Sequence, residues 1–192
     1  MTSTSPSTTV AADVAHVRRP VLGYWPAALG LAAATFQVVT GVTAEAVAIT
    51  VAVATSCYLA AAALDRPWVA WASVLAGSVV VTVSEIADIA WWAGLAAFAA
   101  ALVLVGVLLQ ARVRALTAQG LAMVGFGGLA VLAVLVSPGL GLALAGVALA
   151  SHAGWDYVHW RRNEVVPRSL AEFCFVLDIP FGVASIVLAV TY

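Results

Sequence analysis

The chain has 192 residues, 64% hydrophobic and 9% charged, with a formal net charge of −1 and a mean hydropathy of +1.09. No water-soluble domain of this length needs so much apolar side chain to fill a core, so the composition predicts an integral membrane protein. The basic residues are eight arginines and no lysine, scattered in short groups, which leaves no stripe or patch for nucleic acid.

Residues 1–17, rich in Ser, Thr and Ala, bury too little surface to offset ordering and read as a disordered tail. Residues 18–192 form the transmembrane domain. Arg18 and Arg19 precede an apolar stretch with no small-residue cleavage site followed by a soluble domain, so that stretch reads as an uncleaved first span.

A spanning helix needs roughly 20 apolar residues. Breaks at charges and turn residues then give seven spans, approximately 21–40, 43–64, 67–85, 89–110, 117–136, 139–159 and 169–190. Between Arg66 and Ala111 the only charges are Glu85 and Asp88. At about 1.5 Å per residue that run is about twice the hydrocarbon thickness, so it crosses twice, reversing near Asp88, Trp91 and Trp92. Local signals agree with these limits. Asp65 with Pro67 suggests a cap and first turn for span three, and Ser137-Pro138-Gly139 a tight turn before span six. Ser169-Leu170-Ala171-Glu172 fits a capping box opening span seven, which gives Glu172 a structural task.

Arginines in short loops stay on the cytoplasmic side. Arg18 and Arg19 precede span one, Arg66 joins spans two and three, Arg112 and Arg114 join four and five, and Arg161, Arg162 and Arg168 join six and seven. All fall on one side if there are seven spans. The expected fold is therefore an all-α, seven-helix polytopic bundle in the inner (plasma) membrane, N-terminus cytoplasmic and C-terminus outside. Tyr24, Trp25, Trp68, Trp155 and Trp160 then gather toward the inner interface.

An ionisable group at the bilayer centre costs about 2.5 to 3.5 kcal/mol on insertion scales, so each one requires a partner or a function. His152 and Asp178 fall near the midplane, Asp156 in the inner third and His159 at the inner boundary. His152, Asp156 and His159 are spaced i, i+4, i+7 and share a helix face. Positions seven apart are about 10 Å apart along the axis, so at most two of the three bind one ion. The candidate metal ligands are His152, Asp156 and His159, completed by Asp178 and by a residue from span three, with Zn²⁺ or another divalent ion as the cofactor. Pro180 frees a backbone carbonyl one turn earlier in span seven. The plainer alternatives are a satisfied buried His152–Asp156 hydrogen bond and an interfacial His159 beside headgroups. Toward the outer side lie Gln37, Glu45, Glu85 and Asp88. Glu45, at a helix start, reads as structural; Glu85 and Asp88, i and i+3, share a face and join the catalytic candidates. Cys57 and Cys174 sit in apolar runs and read as free thiols.

His152, Trp155, Asp156 and His159, followed by Cys174 and Asp178, resemble the C-terminal His-x-x-Trp-Asp-x-x-His and Cys-x-x-x-Asp pattern of a family of small bacterial integral membrane proteins. The pattern covers spans six and seven, and Trp160 stands where a second histidine is often found. The resemblance implies a site and no particular reaction. The seven-span architecture is also similar to the heptahelical zinc-dependent lipid hydrolases that include alkaline ceramidases, whose Ser and His-x-x-x-His elements are lacking here, and to heptahelical terpene cyclases.

Three functions follow as expectations. The first is an enzyme acting on a lipid-soluble substrate, isoprenoid or acyl lipid, by acid-base or metal-assisted hydrolysis, isomerisation or cyclisation. In it Asp178 or Asp156 acts as general acid and His152 as base or ligand, while Arg161, Arg162 and Arg168 hold a phosphate headgroup. The second is a proton- or cation-coupled small-solute transporter using carboxylates at several depths. The third is a non-catalytic membrane subunit or lipid-binding module.

Overall fold

The computed structural model describes residues 21–191. The tail and the arginine pair Arg18 and Arg19 lie outside the described residues. A short 3-10 turn (Val21–Tyr24) leads into seven α-helices: α1 (Trp25–Thr40), α2 (Ala44–Ala63), α3 (Val69–Ile86), α4 (Trp91–Leu108), α5 (Val113–Leu135), α6 (Pro138–Arg162) and α7 (Arg168–Ala189). There is no strand among the described residues. Loops of two to five residues join successive helices, which forces antiparallel neighbours. The expected reversal is present at Asp88, which takes a left-handed φ of 56° between α3 and α4.

The sequence of α2 decides the architecture. Its 20 residues are small and apolar on every side, so no face is set aside for an outer environment, and a helix of that kind belongs in the interior. It packs on α3, α4, α5, α6 and α7, and is buried almost continuously from Val51 to Ala63. Alanine side chains allow backbones to approach from several directions at once. Around this axis α6 and α7 form the most extensive pair, and α1 lies against α7. Five helices (α2, α3, α4, α5 and α7) are long and apolar enough to cross a membrane, which is consistent with a helical membrane bundle. The α1 helix is shorter, at 16 residues; α6 is long enough but carries glycines and the polar series from His152 to Arg162.

The α6–α7 crossing is set by two glycines. A methyl at Gly182 would stand 2.9 Å from both Ala150 N and Gly146 O, and one at Gly146 would stand 2.9 Å from Gly182 O. Only hydrogen at both positions lets the two backbones touch, one to two turns from His152 and Asp178.

Two expected caps are not formed. Asp65 has a left-handed φ of 48°, and its carboxylate turns to Arg112, accepting from Nε at 2.8 Å and lying 2.7 Å from Nη2. The α3 helix starts later, with Trp68 as N-cap. At α7 the capping box gives way because the hydroxyl of Ser169 accepts from Trp71 Nε1 at 3.1 Å and the helix begins at Arg168, after Pro167. Each of these bonds ties loops at the arginine-bearing end: Asp65–Arg112 links the α2–α3 and α4–α5 loops, and Trp71–Ser169 links the starts of α3 and α7. Thr43 does cap α2, accepting from Ala46 N at 3.1 Å with Glu45 in the first turn, as its sequence position predicts.

Candidate functional site

The inward stripe of α6 runs Leu142, Ala145, Leu149, His152, Asp156, His159, so the polar residues continue the apolar stripe turn by turn. They therefore enter the core with it. His152 and Asp156 are wholly buried, Asp178 of α7 is 1% exposed, and His159 is 7% exposed.

The structure joins three of the four expected ligands. His152 Nδ1 lies 2.8 Å from Asp178 Oδ2 and 3.3 Å from Asp156 Oδ2. The fourth contributor is Tyr58 of α2, not a residue of span three: its hydroxyl donates to Asp156 Oδ1 at 2.6 Å. The α3 helix packs on α2 and α4 and supplies no ligand to the cluster, although its Val74 and Ser78 line the cavity that Asp178 borders. By holding Oδ1, Tyr58 turns Oδ2 of Asp156 toward the imidazole. The ring of Phe126 closes the cluster edge-on to His152 at 5.1 Å.

Buried polar atoms are nearly always hydrogen-bonded. Here His152 Nε2, Asp156 Oδ2 and Asp178 Oδ1 have no hydrogen-bond partner, all within one cluster. One ligand atom from each of His152, Asp156 and Asp178 can be chosen so that all lie within 4.8 Å of one another. One imidazole nitrogen and two carboxylate oxygens are the donors that Zn²⁺ and similar divalent ions take, and three protein ligands leave a position for water or substrate. The group could bind a metal ion.

His159 does not belong to that group. Its Nδ1 lies 2.9 Å from the backbone carbonyl of Trp155, which only accepts, so Nδ1 carries the hydrogen and Nε2 is the acceptor. Gln119 of α5 then donates from Nε2 to His159 Nε2 at 3.0 Å, and Gln119 Oε1 accepts from Trp155 Nε1 at 3.1 Å. The three side chains satisfy one another in a closed circuit, and His159 has no lone pair left for an ion. The ring of Tyr58 stands edge-on to both imidazoles, 5.6 Å from His152 and 4.9 Å from His159.

Glu85 and Asp88 are exposed at the α3–α4 turn and are not brought to the cluster. Arg161, Arg162 and Arg168 are exposed; of these Arg162 lines a cavity of about 670 Å³, together with Arg112, Arg114, His159 and Gln119. A separate cavity of about 290 Å³ reaches the cluster itself, where Asp178 forms part of its wall along with Gln37, Thr50, Ser78 and the free thiols Cys57 and Cys174. The α1 and α3 helices wall this cavity on either side, with Phe36 and Ser78 exposed at its mouth. Gln37 and Thr50 are hydrogen-bonded to each other across it at 3.2 Å.

Sequence reasoning missed Tyr58 and Gln119. Tyr58 follows Thr55, Ser56 and Cys57 in an otherwise aliphatic helix, and Gln119 is an amide inside a span; both are the polar-in-apolar signal that singled out Asp156, in an uncharged form. No protein-family model, curated protein or solved structure matches this chain, so a functional reading rests on this geometry.

Proposed function

We propose that the chain is a seven-span membrane enzyme that acts on a lipid-soluble substrate, with His152, Asp156 and Asp178 as its reaction centre. The observation carrying this reading is the wall of the 290 Å³ cavity: a fully buried carboxylate, Asp178, borders an otherwise largely apolar space whose mouth lies on the side of the bundle. In a membrane that side faces acyl chains, so a lipid reaches Asp178 without leaving the bilayer. The arginines of the α2–α3, α4–α5 and α6–α7 loops share one end, and the positive-inside rule assigns that end to the cytoplasm of the plasma membrane.

Asp178 is the group placed to give or take a proton at a substrate seated in the cavity, and His152, 2.8 Å behind it, orients it. Asp156, fixed by Tyr58, stands at the same imidazole nitrogen, its Oδ2 3.3 Å from His152 Nδ1. A divalent ion on the three ligands would supply an activated water for hydrolysis of an ester or amide; without one, the same groups suit proton-driven isomerisation or cyclisation of an isoprenoid. The exposed position of Glu85 and Asp88 at the α3–α4 turn, away from the cluster, favours an enzyme over a relay.

The test is direct. Protein purified in detergent is analysed for metals, then incubated with a total membrane lipid extract, and the lipids are compared by mass spectrometry with those treated with Asp156→Asn and Asp178→Asn. At least one lipid species should be consumed by the wild type alone. Identical lipid profiles for all three proteins would overturn the reading, whereas turnover by a metal-free wild type would select the acid-base version.

A further inference from the structure

The largest of the cavities described, about 670 Å³, opens at the arginine-bearing end between α5 and α6, and the reaction centre does not line it. We infer that it is a binding site for a phosphate-bearing group, held by Arg112, Arg114 and Arg162. Its volume is within the range of small-molecule sites. Arg112 is anchored, because Asp65 holds its guanidinium at 2.7 Å and fixes the side chain at the rim. Arg114 and Arg162 come from different helices and have no ion-pair partner among the described residues. Glu164 is the one acid among the lining residues, so three guanidiniums outnumber it.

The chemistry of the walls selects the ligand. Guanidinium forks match the oxygens of a phosphate two at a time, and a multiply charged oxyanion can engage arginines on several sides at once, as a single carboxylate cannot. The floor is made of uncharged hydrogen-bonding groups: the circuit of Trp155, His159 and Gln119 has its hydrogen bonds closed internally, and no carboxylate belongs to it. Arg161 and Arg168, although adjacent in sequence to this end, do not line the cavity. The ligand is either a lipid headgroup or free phosphate. The site stands independently of the chemistry assigned to His152, Asp156 and Asp178.

The experiment uses the full chain and two probes. Inorganic phosphate is titrated calorimetrically into protein in detergent, and phosphatidate in phosphatidylcholine nanodiscs is scored by native mass spectrometry. Arg114→Gln and Arg162→Gln should each weaken the bound probe about tenfold, the loss of one charge-assisted contact, while Arg161→Gln and Arg168→Gln stay within about twofold of wild type by the weakness of screened surface charges. Phosphate that displaces phosphatidate identifies a soluble ligand, and phosphatidate retained against phosphate identifies a lipid headgroup; either supports the site. Failure of the wild type to bind both probes would overturn it. Equal weakening by all four substitutions would also overturn it, since that is general attraction to a basic surface.

Discussion

Replacing Tyr58 by Phe removes one oxygen from the centre of the molecule and nothing else of size. The hydroxyl donates to Asp156 Oδ1 at 2.6 Å, and the tyrosine is wholly buried. Interhelical hydrogen bonds within membranes average about 0.6 kcal/mol by double-mutant cycles and reach about 1.7 at most, while bonds to a charged group in proteins contribute about 1.5 to 3 kcal/mol. The short O–H···O distance and the full burial of both side chains place this bond at the top of the membrane range, so a coupling of about 1.5 kcal/mol is expected between Tyr58 and Asp156. The loss extends further than one bond, because Asp156 Oδ2 already has no hydrogen-bond partner, and Oδ1 would join it. The assay is a double-mutant cycle of Tyr58→Phe and Asp156→Asn, read by SDS-induced unfolding from mixed micelles, with metal affinity measured on the same four proteins. Tyr58→Phe should weaken metal binding by about tenfold, as loss of a partner that orients a ligand does. A coupling below about 0.5 kcal/mol together with unchanged metal affinity would refute the assignment of Tyr58 as the residue that aims Asp156.

Gly182→Ala should destabilise the bundle by about 1 to 3 kcal/mol in the same unfolding assay, since the new methyl meets backbone atoms at 2.9 Å and an overpacked contact outweighs the gain of up to about 1 kcal/mol that alanine brings to a helix. It should also weaken any metal binding at the cluster by moving Asp178 away from His152; wild-type stability would show that the crossing tolerates a methyl group. Gln119→Leu leaves Trp155 Nε1 and His159 Nε2 without partners and should cost about 1 to 3 kcal/mol, with a shift in tryptophan fluorescence but no loss of metal, because the circuit is separate from the cluster. Asp65→Asn should change stability by less than about 1 kcal/mol, because the Asp65 and Arg112 side chains are 49% and 62% exposed and solvent screens the pair.

The fold was legible because its signals are long and repetitive. Seven apolar runs, broken at Asp65, Asp88 and Ser137 among other points, appear as seven helices, five of them long and apolar enough to cross a membrane, with the start of α5 four residues earlier than expected, at Val113, and α6 continuing to Arg162. The caps were not legible, since a cap depends on where a short side chain finds its partner. Asp65 and Ser169 found theirs in Arg112 and Trp71, far along the chain. Half of the site was legible for the same reason that it is unusual: His152, Asp156 and Asp178 are ionisable groups in apolar helices, and the i, i+4, i+7 spacing shows that at most two residues of α6 serve one ion. That spacing cannot choose which two. The choice falls to Gln119, which occupies His159, and to Tyr58, which aims Asp156. Both come from helices whose sequences carry no charge at that depth, and α2 in particular has no periodic face from which an inward direction could be read.

The 670 Å³ cavity is lined by α5, α6 and the loops at the arginine-bearing end, the 290 Å³ cavity by α1, α2, α3 and α7, and Tyr58 of α2 stands between His159, in the wall of the first, and the cluster that borders the second. Its ring fills the space between His152 and His159, edge-on to each, while its hydroxyl belongs to the Asp156 side. An aromatic ring there offers no acceptor or donor on its faces strong enough to pass a proton, so the neutral circuit under the arginines is insulated from the carboxylates one turn away. Asp178 opens instead toward the cavity between α1 and α3. Under the function proposed above, a cluster bordered by the cavity between α1 and α3, with the Tyr58 ring between it and His159, suits a substrate dissolved in lipid. Tyr58 packs there with Ala61, Ala70, Val166, Leu170 and Ala171, and its ring is the member whose removal tests the insulation separately from the hydrogen bond. Tyr58→Ala removes both, Tyr58→Phe only the hydroxyl, and a water-soluble thiol reagent added from the arginine-bearing side should reach Cys57 or Cys174 in the alanine variant alone. Labelling of the wild type from that side at the same rate would show that the ring is no barrier.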